Sequence, residues 1–319
     1  MAEGFLTWLR RDAGDAPRAV TVGVFDGVHL GHQELLRRLA AEAAARNAVA
    51  TVITFDPHPL AVLAPEKTPE RLMTNDRRLS LLLEAGAAAV ASLRFDGRTA
   101  ALSPEEFVRE VLVGELHARV AVVSAAFRFG SGARGDAAAL RRIGSEHGIE
   151  TVEIRPVTRD GRRVSSTRIR TALRAGDVET AAKLLGRPHL VEGVVERGLG
   201  RGRTLGFPTA NLGGIDVLLP AEGIYAAWAE WDGNVRPAAV HVGRRLTFEE
   251  AATVEAHVLD FGEELYDRRM ALGFVRRLRD DVRFAGPAEL AAQIARDVTA
   301  TRELLGGTAA PGLVERHEG

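Results

Sequence analysis

The chain has 319 residues, which fits two domains of roughly 100–200 residues each better than one. Its 46% hydrophobic content and net charge of −1 suit a soluble globular protein with no long-range pull on nucleic acid or an anionic membrane. With no cysteine, disulfides and thiolate metal sites are excluded.

At the N-terminus, Phe5, Leu6, Trp8 and Leu9 form an apolar patch without the continuous apolar stretch of a signal peptide. No run of about 18 apolar residues follows, so no membrane span is expected, and the expected location is the cytoplasm. Through residue 186, β-branched runs alternate with helical patterns. Ala19–Phe25 reads as a strand, and Gln33–Arg46 as a helix with Leu35, Leu36, Leu39, Ala40 and Ala43 at helical spacing. Strands follow over Val49–Phe55, Ala87–Leu93, Arg119–Val123 and Glu150–Val157, with helices over Asp76–Ala85, Pro104–Leu116 and Asp136–His147. Ser103 and Glu106 form a capping box for the helix that opens at Pro104. Ser166–Arg174 and Val178–Leu185 close this half as two short helices. The alternation predicts a Rossmann-like α/β domain over 1–186, with a parallel sheet covered on both faces.

Beyond Gly186-Arg187-Pro188 the texture changes. Leu190–Val195, Gly223–Trp231, Arg236–Val242, Val254–Phe261 and Met270–Leu278 read as consecutive strands joined by Gly, Asp and Asn turns. They predict a small antiparallel β-barrel over 187–306. Pro287–Leu305 is a long amphipathic helix with Leu290, Ile294, Val298 and Leu304 or Leu305 on one stripe. Residues 307–319 read as a disordered tail, and no internal repeat relates the halves.

Two stretches carry phosphate chemistry. Val22–His32 runs from a strand end into a helix start, where free N–H groups and the helix dipole favour an anion. Gly23, Phe25, Asp26 and Gly31 are candidates for binding the ATP phosphates, and Gly31 lets a nucleotide come close to the backbone. His29 and His32 can donate to phosphate oxygens as charge builds during displacement at an α-phosphate. A plainer reading makes the two histidines helix caps. Ser166, Thr167 and Arg168, with Arg170, open another helix with hydroxyls and guanidiniums suited to a polyphosphate tail. Asp56 and His58 stand in Phe-Asp-Pro-His-Pro, which also reads as an Asp-Pro turn.

The second stretch is Arg197–Asn211, rich in Gly and Arg, with Gly200, Arg203, Gly206 and Pro208 as candidates for holding phosphate. Thr209 and Asn211 are two apart and offer neutral oxygens on one side of an extended segment, suited to Mg²⁺. Downstream, Val254–Phe261 alternates as a strand, with Glu255, His257 and Leu259 on one face; His257 is assigned a structural role.

These motifs resemble the prokaryotic bifunctional riboflavin kinase/FAD synthetase family. The likeness covers residues 18–305 and includes the Phe-Asp-Gly-Val-His-x-Gly-His stretch, Phe127-Arg128-Phe129-Gly130, Gly135-Asp136, Ser-Ser-Thr-Arg-Ile-Arg and Gly-Phe-Pro-Thr-Ala-Asn. The resemblance implies ATP-dependent phosphorylation of riboflavin to FMN in the second module. It implies adenylylation of FMN to FAD, with release of pyrophosphate, in the first. It also implies phosphate contacts from His29 and His32, β/γ-phosphate contacts from Ser166, Thr167 and Arg168, and Glu255 as the kinase base. Phe127, Arg128, Phe129 and Tyr266 become candidates for the flavin ring. The partners are small molecules, with nothing pointing to nucleic acid and nothing fixing oligomeric state.

The pattern is departed from at several positions. Ala126 and Ala133 lack the polar groups the family carries there, which leaves open a kinase with a weakened adenylyltransferase module. A non-catalytic flavin- or nucleotide-binding regulator is the other reading, opposed by the presence of His29, His32, Thr209, Asn211 and Glu255. His241-Val242-Gly243 stands where the family has Asn-Ile-Gly, and Leu246 where it has Pro. Asp267 replaces a Gly in a turn that wants positive φ, a region Asp tolerates.

Overall fold

The computed structural model describes residues 4–10, 16–198, 201–243 and 253–307. These fall into two compact units, one within Met1–Glu70 and Asn75–Ser165, the other within Arg71–Thr74 and Ser166–Gly319. The expectations for Gly200, for Leu246 and for all of the tail but Gly307 lie outside the described residues.

The first unit is a six-stranded sheet with strand order β1-β4-β3-β2-β5-β6. The strands are β1 (Leu6–Arg10), β2 (Arg18–Val22), β3 (Val49–Asp56), β4 (Ala89–Arg94), β5 (Ala118–Ser124) and β6 (Glu150–Ile154). All neighbours pair parallel except β1, which adds antiparallel to the edge at β4. β2 is buried along its whole length because helices cover both faces of a parallel sheet. The helices are α1 (Leu30–Ala45), α2 (Pro59–Leu63), α3 (Asn75–Glu84), α4 (Gly97–Ala101), α5 (Pro104–Glu106) and α6 (Ala137–Glu146). The capping box forms: Ser103 Oγ accepts from Glu106 N–H, and Glu106 accepts from Ser103 N–H. Beyond it the helix widens into a π-helical stretch, Phe107–Glu115, where sequence periodicity predicts an ordinary α-helix. A two-stranded hairpin, β7 (Thr158–Arg159) with β8 (Arg162–Arg163), completes the unit.

In the second unit, α7 (Ser166–Arg174) packs on α8 (Val178–Leu185), and α8 packs on two barrel strands. The change of texture at 186 therefore lies downstream of the break in compactness. The barrel is closed in the order β10-β13-β12-β11-β14-β9 and is antiparallel throughout. Its strands are β9 (His189–Glu196), β10 (Ala210–Gly213), β11 (Gly223–Trp231), β12 (Asn234–Val242), β13 (Val254–Val258) and β14 (Arg269–Arg279). A one-turn helix, α9 (Arg201–Thr204), precedes β10.

The C-terminal helix α10 (Pro287–Leu305) covers the outer face of β11 and β12, where Leu305 meets Ala226 and Trp228. This explains why β11 is buried on both faces. The expected stripe is displaced. The most buried positions of α10 are Asp297, Thr301 and Leu305, while Leu290, Ile294, Val298 and Leu304 are half-buried. Asp297 is drawn inward because Arg279 from β14 meets it with contacts of 2.7, 3.0 and 3.2 Å, and Gln293 donates to it at 2.9 Å.

Candidate active sites

At the end of β2 the chain does not continue extended to Phe25. Phe25 has φ 55°, Gly27 φ 87° and Val28 φ 33°, so the strand stops at Val22 and the loop coils tightly. A β-branched residue at positive φ is a sterically costly choice. The loop is held by burial, with Phe25 and Val28 each 1% exposed, and by hydrogen bonds to its carbonyls. Thr54 Oγ1 and Arg78 Nη1 both donate to the Val24 carbonyl, at 3.3 and 3.2 Å. Gln33 Nε2 donates to the Val28 carbonyl at 2.9 Å.

This coil delivers His29 to the N-cap of α1, and α1 begins at Leu30 rather than near Gln33. His32 thus lies in the first turn. His29 Nδ1 accepts from His32 N–H at 3.3 Å, so the neutral ring carries its proton on Nε2, where it can be donated to an anion. The two imidazoles stack, with centroids 3.7 Å apart and planes 14° apart, and the Phe25 ring meets His32 edge-on at 5.1 Å. Gly31 fits closely here: a Cβ would sit 3.1 Å from His29 Cε1, so the ring would have to shift. The cap and the phosphate reading are therefore not rivals, since the capping nitrogen leaves the other one as a donor. β2 lies between β3 and β5, where the strand order reverses, and ligands of such sheets bind beyond the strand ends at that point.

The other residues of the first motif set are placed separately. His58 caps α2, its Nδ1 accepting from Leu60 N–H at 3.0 Å. Phe129 is buried among Phe107 and Phe127, with centroids at 5.6 and 5.3 Å, and this burial gives it a packing role. Phe127 is half-buried and Arg128 exposed, so they are the accessible members of that trio. Ala126 is exposed in a turn, and Ala133 takes φ 55°. Ser166, Thr167 and Arg168 open α7 in the second unit, and their link to His29 rests on the sequence motif.

The second site is assembled by strand pairing. Asn211 on β10 and Glu255 on β13 are direct cross-strand partners, and opposite residues of an antiparallel pair project from the same face. Val254, Ala256 and Val258 turn inward, which leaves Glu255 and His257 on the outer face. Leu259 does not share it: the strand has ended and Leu259 is 3% exposed. Ala210 is buried between Thr209 and Asn211, so both of these face away from the barrel interior. Two glycines lie beneath them. A Cβ on Gly198 would overlap the Asn211 amide, and one on Gly202 would stand 3.2 Å from Thr209 Oγ1. His257 Nδ1 bonds the Pro208 carbonyl at 2.8 Å and its ring meets Phe207 edge-on, consistent with the structural role expected of it.

Gly206 takes φ 84°, as a turn glycine should. Arg203 is exposed and pairs with Glu264 at 2.9 Å, which raises the guanidinium pKa above its usual value. Arg197 stacks over the Tyr266 ring at 4.7 Å, and Asp267 adopts φ 64°, the left-handed turn expected where the family has Gly. Sequence reading passed over Gly198, Gly202 and His241. The two glycines were visible only as loop residues, and His241 only as a departure from the motif; register is what connects them to the site.

Thr209 and Asn211 supply two neutral oxygens, and Asn211 is flanked by the carboxylates of its two cross-strand partners, Glu196 and Glu255. Among the described residues no group of three or more His, Cys, Asp or Glu could hold a metal alone. That donor set suits Mg²⁺ carried largely by nucleotide phosphates and fits a tightly held protein-only ion poorly.

Two family descriptions match the chain: FAD synthetase over residues 12–168 and riboflavin kinase over residues 185–305. The bifunctional riboflavin kinase/FMN adenylyltransferase of Escherichia coli (strain K12) is 38% identical over 291 residues, 91% of this chain and 93% of that one. This chain belongs to the bifunctional riboflavin kinase/FMN adenylyltransferase family. The Bacillus subtilis (strain 168) member is 34% identical over 289 residues, covering 88% of this chain and 90% of that one. Among solved structures, a macrolide-efflux protein from Streptococcus pneumoniae superposes with a TM-score of 0.84 at 32% identity, covering 91% of this chain and 96% of the other. Among the described residues of this chain no helix is long and apolar enough to cross a membrane. As a member of the family, the protein phosphorylates riboflavin with ATP and adenylylates FMN to FAD. Neither of the two narrower readings of the sequence is favoured.

Proposed function

We propose that the two reactions use separate residue sets, with riboflavin phosphorylated at Thr209, Asn211 and Glu255 and FMN adenylylated at His29 and His32. The observation that carries the kinase assignment is the direct pairing of Asn211 with Glu255. The 5′-hydroxyl oxygen of riboflavin attacks the γ-phosphorus of ATP while Glu255 accepts the hydroxyl proton, and ADP leaves. Thr209 and Asn211 would hold Mg²⁺, which would offset the negative charge of the β- and γ-phosphates. Gly200, Arg203, Gly206 and Pro208 are the candidates for binding the nucleotide phosphates, with Arg203 exchanging Glu264 for phosphate oxygens. Tyr266 lies beside that loop as a candidate contact for the flavin.

In the first module a phosphate oxygen of FMN attacks the α-phosphorus of ATP and pyrophosphate departs. His29 and His32 donate to the oxygens on which charge accumulates. The strained loop of Gly23, Phe25 and Asp26 and the bare Gly31 fix where those donors stand. Ser166, Thr167 and Arg168 take the β- and γ-phosphates on the strength of their motif, within the stretch matched to FAD synthetase. Phe127 and Arg128 are the flavin-side candidates. The consumption of ATP by both reactions supports a cytoplasmic location.

The deciding experiment supplies riboflavin, ATP and Mg²⁺ and resolves FMN and FAD by chromatography. Glu255→Gln is expected to abolish FMN formation while sparing FAD formation from added FMN. Equal loss of both activities would show that the two-site assignment is wrong.

A further inference from the structure

The row of side chains that contains Asn211 and Glu255 extends one strand further. β13 has β12 as its other neighbour, and the residue opposite Glu255 there is His241. Asn211, Glu255 and His241 therefore project side by side from three adjacent strands. On the far side of the imidazole, His241 Nε2 lies 3.3 Å from Asp281 Oδ2, just beyond the end of β14. That nitrogen is buried and makes no aligned hydrogen bond to Asp281. Gly243 supports the ring: a Cβ there would stand 3.2 Å from His241 Cε1.

Among the described residues, the charged groups placed beside His241 are two carboxylates, Glu255 opposite it on β13 and Asp281 after β14. The next members of the row are Ile224 on β11 and Arg279 on β14, and the Arg279 guanidinium is held by Asp297. Thr253, the near neighbour across Gly243, is uncharged. An imidazole flanked by two carboxylates and an otherwise occupied cation is well placed to hold one of them.

We infer that His241 is a positioning residue for the riboflavin kinase step, holding the Glu255 carboxylate toward the riboflavin hydroxyl while Asp281 anchors the other side of the ring. The inference rests on Glu255 being the base. Where the family motif has Asn, an amide could hold the carboxylate but could not carry charge. In this chain the same place is taken by an imidazole, which can donate a hydrogen bond to the carboxylate without touching either substrate.

The test compares the full-length protein with His241→Ala, His241→Asn, Asp281→Asn and Glu255→Gln, measuring kcat and KM for FMN formation from pH 5 to 9. His241→Ala should lower kcat roughly ten-fold or more, the loss of a hydrogen bond to a charged group, while KM for riboflavin stays within about two-fold. His241→Asn should recover most of kcat, since an amide can make the same hydrogen bond to the carboxylate. Asp281→Asn should lower kcat less than His241→Ala does, since the ring then loses only its outer anchor. If His241→Ala matches the wild type, or raises KM and lowers the unfolding midpoint without a selective fall in kcat, the positioning role is refuted. Glu255→Gln separates the two claims: its retention of activity overturns the base assignment, whereas its inactivity beside a fully active His241→Ala overturns only the role of His241.

Discussion

His29 and His32 stack ring on ring while His29 Nδ1 accepts the backbone N–H of His32, so one side chain both caps α1 and presents its second nitrogen as a donor. The two duties can be separated by substitution. Asn is a good N-cap but has no group at the Nε2 position. His29→Asn should therefore leave urea stability close to wild type yet slow FAD formation from FMN by about 10²-fold or more, the scale of a lost donor to developing charge. His29→Ala should lose the same activity and in addition about 0.5–2 kcal/mol of stability. Near-normal FAD synthesis by His29→Asn would reduce His29 to a cap.

Gly198 offers a test of the kinase site from beneath. A Cβ at this position collides with the Asn211 amide, which cannot retreat without leaving the row it shares with Glu255. Gly198→Ala should depress kcat for FMN formation by about 10²-fold, the scale of an ångström-sized misplacement, and leave FAD formation from FMN intact. Gly262→Ala is the control: a Cβ there has open space around it, so the kinase rate should change little. Equal effects of the two would show that the position of Asn211 is not what matters.

The contrast between these glycines and the rest of the chain shows what the sequence exposed. Elements whose pattern carries their own period were readable: α7, α8, α10 and β11 fall on the residues expected of them. β1 was missed because an edge strand half open to solvent lacks clean alternation, and β10 because four residues inside a Gly- and Pro-rich stretch show no period at all. The site motifs were readable as residue types. Their neighbours were not, because Asn211, Glu255 and His241 are joined by register between strands up to 44 positions apart, from 211 to 255. Asp297 misled for a related reason. A charged residue reads as solvent-facing until its partner, Arg279, is placed beneath it by the fold.

That buried pair sets a stability prediction. Asp297 is 6% exposed and receives the Arg279 guanidinium from two sides, with Gln293 as a third donor. Removing one partner strands the other, and breaking such pairs costs about 3–5 kcal/mol when fully buried; the partial exposure of Arg279 argues for about 3 here. Asp297→Ala should lower the urea midpoint accordingly and loosen α10 from β11 and β12. Replacing both, as Asp297→Leu with Arg279→Met, should regain most of the loss because neither charge is left buried alone. A double variant as unstable as the single one would contradict this account.

His189, the first residue of β9, is 1% exposed, and its Nε2–H donates to the Leu218 carbonyl at 2.8 Å. Burial disfavours the imidazolium and pushes its pKa down to about 4 from an ordinary 6.5. Between those values the unfolded chain binds a proton that the folded chain refuses, so stability falls as pH falls. The contribution is whole above pH 6.5 and lost progressively toward pH 4, amounting to about 3 kcal/mol over the interval. Urea unfolding of the wild type at fixed temperature should show this slope. His189→Gln, which cannot take up the proton and can still donate to Leu218, should flatten it while leaving FMN formation at pH 8 unchanged. A variant with the wild-type slope would place the acid sensitivity elsewhere. The neutral ring is thus required by its surroundings: the Leu218 carbonyl accepts its proton, burial disfavours the charged form, and the Arg187 guanidinium repels it.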